Sequence, residues 1–217
     1  MPRHKTIQFK TTLEPTMKSQ VEDIILNNKK AKSILNATLA IIACGGMLTL
    51  GAIAPNVFSS LTKVLYKKSQ DKKKRYYEIW KRFYRLKEQN YIKLAEERED
   101  ILIYEITEKG RTRLKNFIFD ELQLTMPERW DQRWRVIIFD IPEPFKKARY
   151  ALYIKLRELE FYQLQKSVWV HPLPCESEIL FLKDFFNIHP FVHVLLVQEM
   201  PSGKALYHFK NLLREIS

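Results

Sequence analysis

The stretch KKSQDKKKRYYEIWKRFYRLK, residues 67–87, decides how the first half of this chain is read. Ten of its residues are Lys or Arg and two are acidic. Apolar residues recur at Tyr76, Ile79, Trp80, Phe83 and Leu86, the spacing of a helix that buries a single stripe. The cations Lys72, Lys73, Lys74, Arg75, Lys81, Arg82 and Arg85 then crowd its ends and outer side. A solvated surface helix usually mixes its charges, and this one does not. A packed back with a cationic front fits a DNA major groove, where side chains meet base edges and flanking lysines neutralise phosphates.

Downstream, YIKLAEE (91–97), the polar turn Arg98-Glu99-Asp100 and ILIYEIT (101–107) read as the two strands of a β-hairpin. Thr107 stands where an N-cap is expected, ahead of a short helix through RTRLKNFIF (111–119). Helix, helix, basic helix, hairpin, helix is the order of a winged helix-turn-helix, in which the hairpin is the wing. The phrase YEITEKGRTRL (104–114) resembles the LTxxG ending of wings in many winged-helix repressors. The hairpin tip carries acids as well as bases, which argues against deep insertion into a minor groove. Lys93 and Arg98 are the wing's candidate DNA contacts.

Upstream, no residue between Lys32 and Lys63 is charged. A membrane span needs about 20 apolar residues. Here Asn36, Thr38 and three glycines interrupt the run, Pro55 stops it, and Leu39–Ala54 leaves 16. Two buried helices are the expected reading, one over about residues 30–45 and one from near Pro55. A membrane anchor through residues 34–54 competes with it. Lysines flank both ends, so charge bias selects no orientation. Residues 1–28 read as a flexible N-terminal extension, in which only Val21, Ile24, Ile25 and Leu26 hint at a helix.

The bulk numbers agree with a globular, polyanion-binding chain. Of 217 residues, 46% are hydrophobic and five are Gly, while the net charge is +12. Two cysteines, Cys44 and Cys175, form no CxxC pair, so neither a disulfide framework nor a zinc knuckle is expected and a cytoplasmic location is the default. His189 and His193 fall in HPFVHVLLV, read as a strand, with no acidic partner nearby in sequence.

A boundary falls near residues 124–127, giving a DNA-binding domain over 29–124 and a second domain over 128–217. In the second, WRVIIFD (134–140) reads as a buried strand. The helix that follows places Phe145, Ala148, Leu152, Leu156 and Leu159 on one face. FYQLQKSVWVHP reads as a strand, ESEILFLKDFF as a helix, PFVHVLLVQEM as a strand and GKALYHFKNLLREI as a final helix. That alternation is expected to form a ferredoxin-like α/β sandwich, and the whole chain an α+β protein.

WDQRWRVIIFDIPEPFKKARYALYIKLRELEFYQLQKSVWVHPLP, residues 130–174, carries a resemblance. It looks like the central domain of the PaaX family of transcriptional repressors, itself similar to CRISPR-associated protein 2. The matching pieces are Phe139-Asp140-Ile141-Pro142, the basic helix after it, and Gln165–Val170. Family members carry a further C-terminal domain, whereas this chain ends at Ser217, so effector recognition is not carried over.

The resemblance implies a repressor that binds double-stranded DNA as a homodimer through the second domain. Such dimers read half-sites about 34–36 Å apart. It requires no cofactor and no small molecule. The relation to CRISPR-associated protein 2 implies the alternative of a Mg²⁺-dependent endonuclease or adaptation-type DNA binder, with Asp140 as the metal ligand and Ser167 near the second motif. Two carboxylates related by a dimer axis could hold a hard cation that activates water. One carboxylate per chain is a thin donor set, and a helix-capping role for Asp140 near Pro142 is the competing expectation.

Overall fold

A computed structural model of the chain describes residues 6–10, 13, 16–18, 20, 21, 24, 39, 72–99, 101–200 and 202–216. The chain divides into two units, Met1–Glu121 and Leu122–Ser217. Mixed helices and two separate sheets make it an α+β protein.

Unit 1 has a three-stranded sheet. Strand β1 (Thr6–Lys10) runs parallel to β3 (Ile101–Ile106), and β2 (Ile92–Arg98) pairs antiparallel to β3, giving the order β1-β3-β2. The hairpin expected over 91–107 is therefore present, with a register shift between Leu94 and Glu96. β1 is the element the sequence did not announce. Its Ile7 and Phe9 are buried, so a segment read as an extension supplies part of the core.

Helix α1 (Lys72–Glu88) precedes the hairpin, and α2 (Glu108–Glu121) follows it. Phe83 and Leu86 of α1 are buried. The Phe83 ring packs edge-on against Tyr104 of β3, with centroids 5.0 Å apart, and against Phe9 of β1 at 6.1 Å. That aromatic clamp fixes which side of α1 turns inward. Of the apolar run 34–54 only Leu39 is described; it is helical and buried. The rest of that run, and Cys44 with it, lies outside the described residues. Among the described residues no helix is long and apolar enough to cross a membrane.

Unit 2 is a four-stranded antiparallel sheet in the order β5-β6-β4-β7. Its elements are β4 (Trp134–Phe139), a 3-10 turn (Glu143–Phe145), α3 (Lys146–Glu158), β5 (Tyr162–Gln165) and β6 (Val168–His171). They continue with α4 (Glu176–Phe186), a second 3-10 turn (His189–Phe191) and β7 (Val192–Val197). Two short helices, α5 (Gly203–His208) and α6 (Lys210–Ile216), close it. This β-α-β-β-α-β connectivity is the ferredoxin-like one.

Four details differ from the sequence reading. FYQLQKSVWVHP is a hairpin rather than one strand, turning at Lys166-Ser167. The final helix breaks at Phe209 into α5 and α6. Phe145, placed on the buried face, lies in the 3-10 turn and is exposed, whereas Leu152, Leu156 and Leu159 are buried as expected. His189 sits in a 3-10 turn, and its Nε2 meets Asp184 Oδ1 of α4, a partner the linear sequence did not suggest.

β4 separates two packed layers. Trp134 and Val136 join Val170, Ala205 and Phe209 in one apolar cluster under α5 and α6. From the intervening position Arg135 reaches Glu176 at the start of α4, and Trp169, beside β4, packs edge-on to Tyr153 of α3 at 4.9 Å.

Candidate nucleic-acid interface

The end of α1 is held by a Schellman motif. Asn90 adopts φ 57°, its N–H donates to Lys87 O at 3.0 Å, and Tyr91 N–H donates to Leu86 O at 2.9 Å. Asparagine tolerates this left-handed conformation better than most residues, which is why the helix can stop here without a glycine.

Thr107 then ties the two ends of the hairpin together. Its Oγ1 accepts from Gly110 N–H at 3.1 Å, which makes it the N-cap of α2 as expected. The same hydroxyl lies 2.7 Å from Asn90 O, to which it donates, and Thr107 N–H donates to Tyr91 O at 3.0 Å. Lys109 Nζ donates to Gln89 O at 2.9 Å and stands 5.1 Å from the centre of the Tyr91 ring. The four-residue phrase Thr107-Glu108-Lys109-Gly110 is thus a clasp between the hairpin and the C-terminus of α1.

With α1 fixed at Phe83 and Leu86, its outward positions follow from the helical period. Tyr77, Lys81, Tyr84, Arg85 and Glu88 are all exposed and share one face. Tyr77 is 66% exposed and Tyr84 40%, so two aromatic rings stand partly in water on the face that carries Lys81 and Arg85. Lys81 and Arg85 are where the sequence placed them. Arg82 is half-buried at the side of the helix instead. Lys72, Lys73, Lys74 and Arg75 belong to the first turns of α1, but their side chains lie outside the described residues. Tyr77, Tyr84 and Glu88 were not singled out from sequence; counting the period from Phe83 and Leu86 would have found them.

The cations of the β2–β3 hairpin are engaged. Lys93 Nζ is 3.0 Å from Glu105 Oε1, and Arg98 Nε donates to Glu96 Oε1 at 2.7 Å. The hydrogen bond from Arg98 holds the Glu96 carboxyl below its ordinary range. A phosphate arriving at the hairpin would have to displace these carboxylates. On α1 it would meet Lys81 and Arg85 on an open face.

Asp140 lies just past β4. It is exposed, and its N–H donates to Phe191 O at 3.0 Å. The 3-10 turn that follows is capped at Pro142 without a side-chain hydrogen bond, so the expected capping role is not seen. Ser167 contributes its carbonyl to Phe139 N–H at 3.1 Å. Among the described residues no group of three or more His, Cys, Asp or Glu could hold a metal ion. Within one chain, Asp140 alone does not supply the oxygen set that Mg²⁺ takes.

Unit 2 also holds an ionic network around a buried arginine that sequence reading missed. Arg135, 4% exposed, is gripped by both oxygens of Asp131 at 2.8 and 2.7 Å. It also donates to Glu176 Oε1 at 3.1 Å and to the carbonyl of Arg133 at 2.9 Å. The Arg135 hydrogen bonds hold the Asp131 carboxyl well below its usual value. His171, buried beside this network, is pushed down to about 3, by burial first and then by His208 and Arg135. It is therefore a neutral imidazole whose Nδ1 accepts from Leu173 N–H at 3.0 Å. Burial likewise pushes the Cys175 thiol up, which makes it inert rather than nucleophilic.

Comparison with known proteins bears on unit 2. No curated protein matches the chain. Residues 127–206 match the family model described as the PaaX protein central Cas2-like domain, a span that begins ahead of β4 and runs through β7 into α5. The motif resemblance read from Phe139–Pro142 and Gln165–Val170 falls wholly inside it, and the match, which spans 80 of the 217 residues, shows that unit 2 carries this domain.

Proposed function

We propose that unit 1 is a winged helix that reads double-stranded DNA, and that the chain acts as a PaaX-like transcriptional regulator, a repressor in homodimeric form. One observation carries the reading: Tyr77, Lys81, Tyr84 and Arg85 share an exposed face of α1 while Phe83 and Leu86 anchor the opposite face. Cations supply phosphate attraction, and Arg and Tyr supply base-edge and sugar contacts. The net charge of +12 supports the same partner.

Pairing of two copies through unit 2 draws support from β7. It is an edge strand bonded to β4 on one side, with Leu195 and Leu196 both about half exposed. A second β7 would cover that edge.

The test is fluorescence anisotropy with duplex DNA recovered by genome-wide mapping of bound sites. The double variant Lys81→Ala/Arg85→Ala should lose most of the affinity while retaining its circular dichroism and its state in sedimentation. Unchanged affinity would remove α1 as the reading element.

A further inference from the structure

We propose that unit 2 binds a nucleoside diphosphate in the cleft between β5 and the two C-terminal helices. This is a site separate from the DNA reading and does not depend on it. The cleft is lined by Tyr162 of β5, by Lys204, Tyr207 and His208 of α5, and by Lys210 and Asn211 of α6. Its volume, about 680 Å³, is in the range of small-molecule sites.

The chemistry of the lining selects the ligand. No acidic side chain lines the cleft, and neither Lys204 nor Lys210 has an ion-pair partner among the described residues. Two unneutralised ammonium groups on one concavity attract an anion carrying more than one charge. Tyr207 is 78% exposed, the most exposed of the large hydrophobic residues described, and offers a free ring face. Tyr162 and His208 form a second aromatic wall, with centroids 5.2 Å apart and planes tilted by 49°. Rings of this kind stack on planar bases, and the stacking is indifferent to sequence. Asn211 adds an amide with both donors and an acceptor for a base edge or ribose hydroxyl.

Gly203 completes the lining. A Cβ there would meet nothing within 4 Å, so packing does not demand glycine, and the bare backbone leaves room next to Lys204. A purely apolar ligand would leave two ammonium groups unused, and a simple anion would leave the tyrosines unused. A diphosphate joined to a planar base uses both.

Isothermal titration calorimetry on the full chain tests this with ADP, and with adenosine and pyrophosphate as the separated halves. ADP is expected to bind with Kd below about 1 mM, each half at least about tenfold more weakly. Lys204→Ala/Lys210→Ala should weaken ADP about tenfold, and Tyr207→Ala should weaken it several-fold. These side chains are exposed, so an unchanged melting curve would show that the variants fold. Three outcomes overturn the proposal: no ADP binding at millimolar concentration, ADP binding that survives the double lysine variant, or pyrophosphate binding as tightly as ADP. Binding of oligothymidylate that the variant abolishes, without any ADP binding, would make the cleft a strand contact instead.

Discussion

Gly110 and Tyr91 touch backbone to backbone: a Cβ on residue 110 would collide with the Tyr91 carbonyl oxygen and stand 2.6 Å from Ile106 Cγ1. The first turn of α2 therefore lies directly on the turn that ends α1. Gly110→Ala should destabilise unit 1 by about 2 kcal/mol, because the clash is with backbone that cannot rotate away. Urea unfolding followed by circular dichroism would show it. A variant as stable as the parent would mean that the two turns can separate at little cost.

The same clasp makes a prediction for Thr107. Thr107→Val keeps the shape but removes the acceptor for Gly110 N–H, and should cost about 1 kcal/mol, whereas Thr107→Ser should restore most of it. Comparison of the two unfolding midpoints separates the hydroxyl's part from the methyl's.

Arg135 gives a third expectation. Arg135→Met retains the stem but removes the donors to Asp131, Glu176 and the Arg133 carbonyl; both carboxylates are more than a third exposed and can be hydrated, so the loss should be about 1–2 kcal/mol. Arg135→Lys should not rescue it, since an ammonium cannot make the two-pronged contact with Asp131. A lysine variant with parental stability would show that charge alone holds the network.

His171 gives unit 2 a dependence on pH. Its folded pKa of about 3 lies below the unfolded value of about 6.5, so the unfolded chain binds the extra proton between these limits. Its contribution is complete above about pH 6.5 and declines as pH falls toward 3, with a slope on the order of 1.4 kcal/mol per pH unit. The low pKa of Asp131 adds a loss in the same direction, confined to pH below about 4. In His171→Asn, whose amide oxygen can still accept from Leu173 N–H, stability between pH 6.5 and 4 should be flatter. Parallel curves for parent and variant would assign the dependence elsewhere.

DNA affinity should fall steeply with salt if α1 lies against phosphates. Replacing Lys81 and Arg85 should reduce the slope of log K against log salt by about 2, near 0.9 for each phosphate left without its cation. A slope unaltered by the double variant would place those side chains away from the backbone of DNA.

Much of this architecture was legible because local chemistry dictated it. The stripe through Phe83 and Leu86, the strands around Arg98-Glu99-Asp100, and the Thr107 cap all follow from spacing within a dozen residues. What was missed depends on distant partners or on subtle punctuation. The turn at Lys166-Ser167 has neither Gly nor Asn to mark it, so two four-residue strands read as one. Arg135 stands in an apolar strand, and nothing nearby in sequence shows that Glu176 will arrive to meet it. In α1, charge drew attention to Lys81 and Arg85, while the outward tyrosines had to wait for the buried anchors to set the rotation.

β1 shows the same limit and carries a consequence for biosynthesis. Thr6 pairs with Ile101, and Lys10 with Glu105, so β1 is matched to a strand made 95 residues later. Parallel pairing at that separation gains nothing until the hairpin exists to receive it. The β2–β3 ribbon is local, whereas β1 must wait for β3 before it can bring Phe9 onto Phe83 and Tyr104. Until β3 has been made, β1 has no strand to pair with, and the sheet of unit 1 is completed only when residues 6–10 and 101–105 come together.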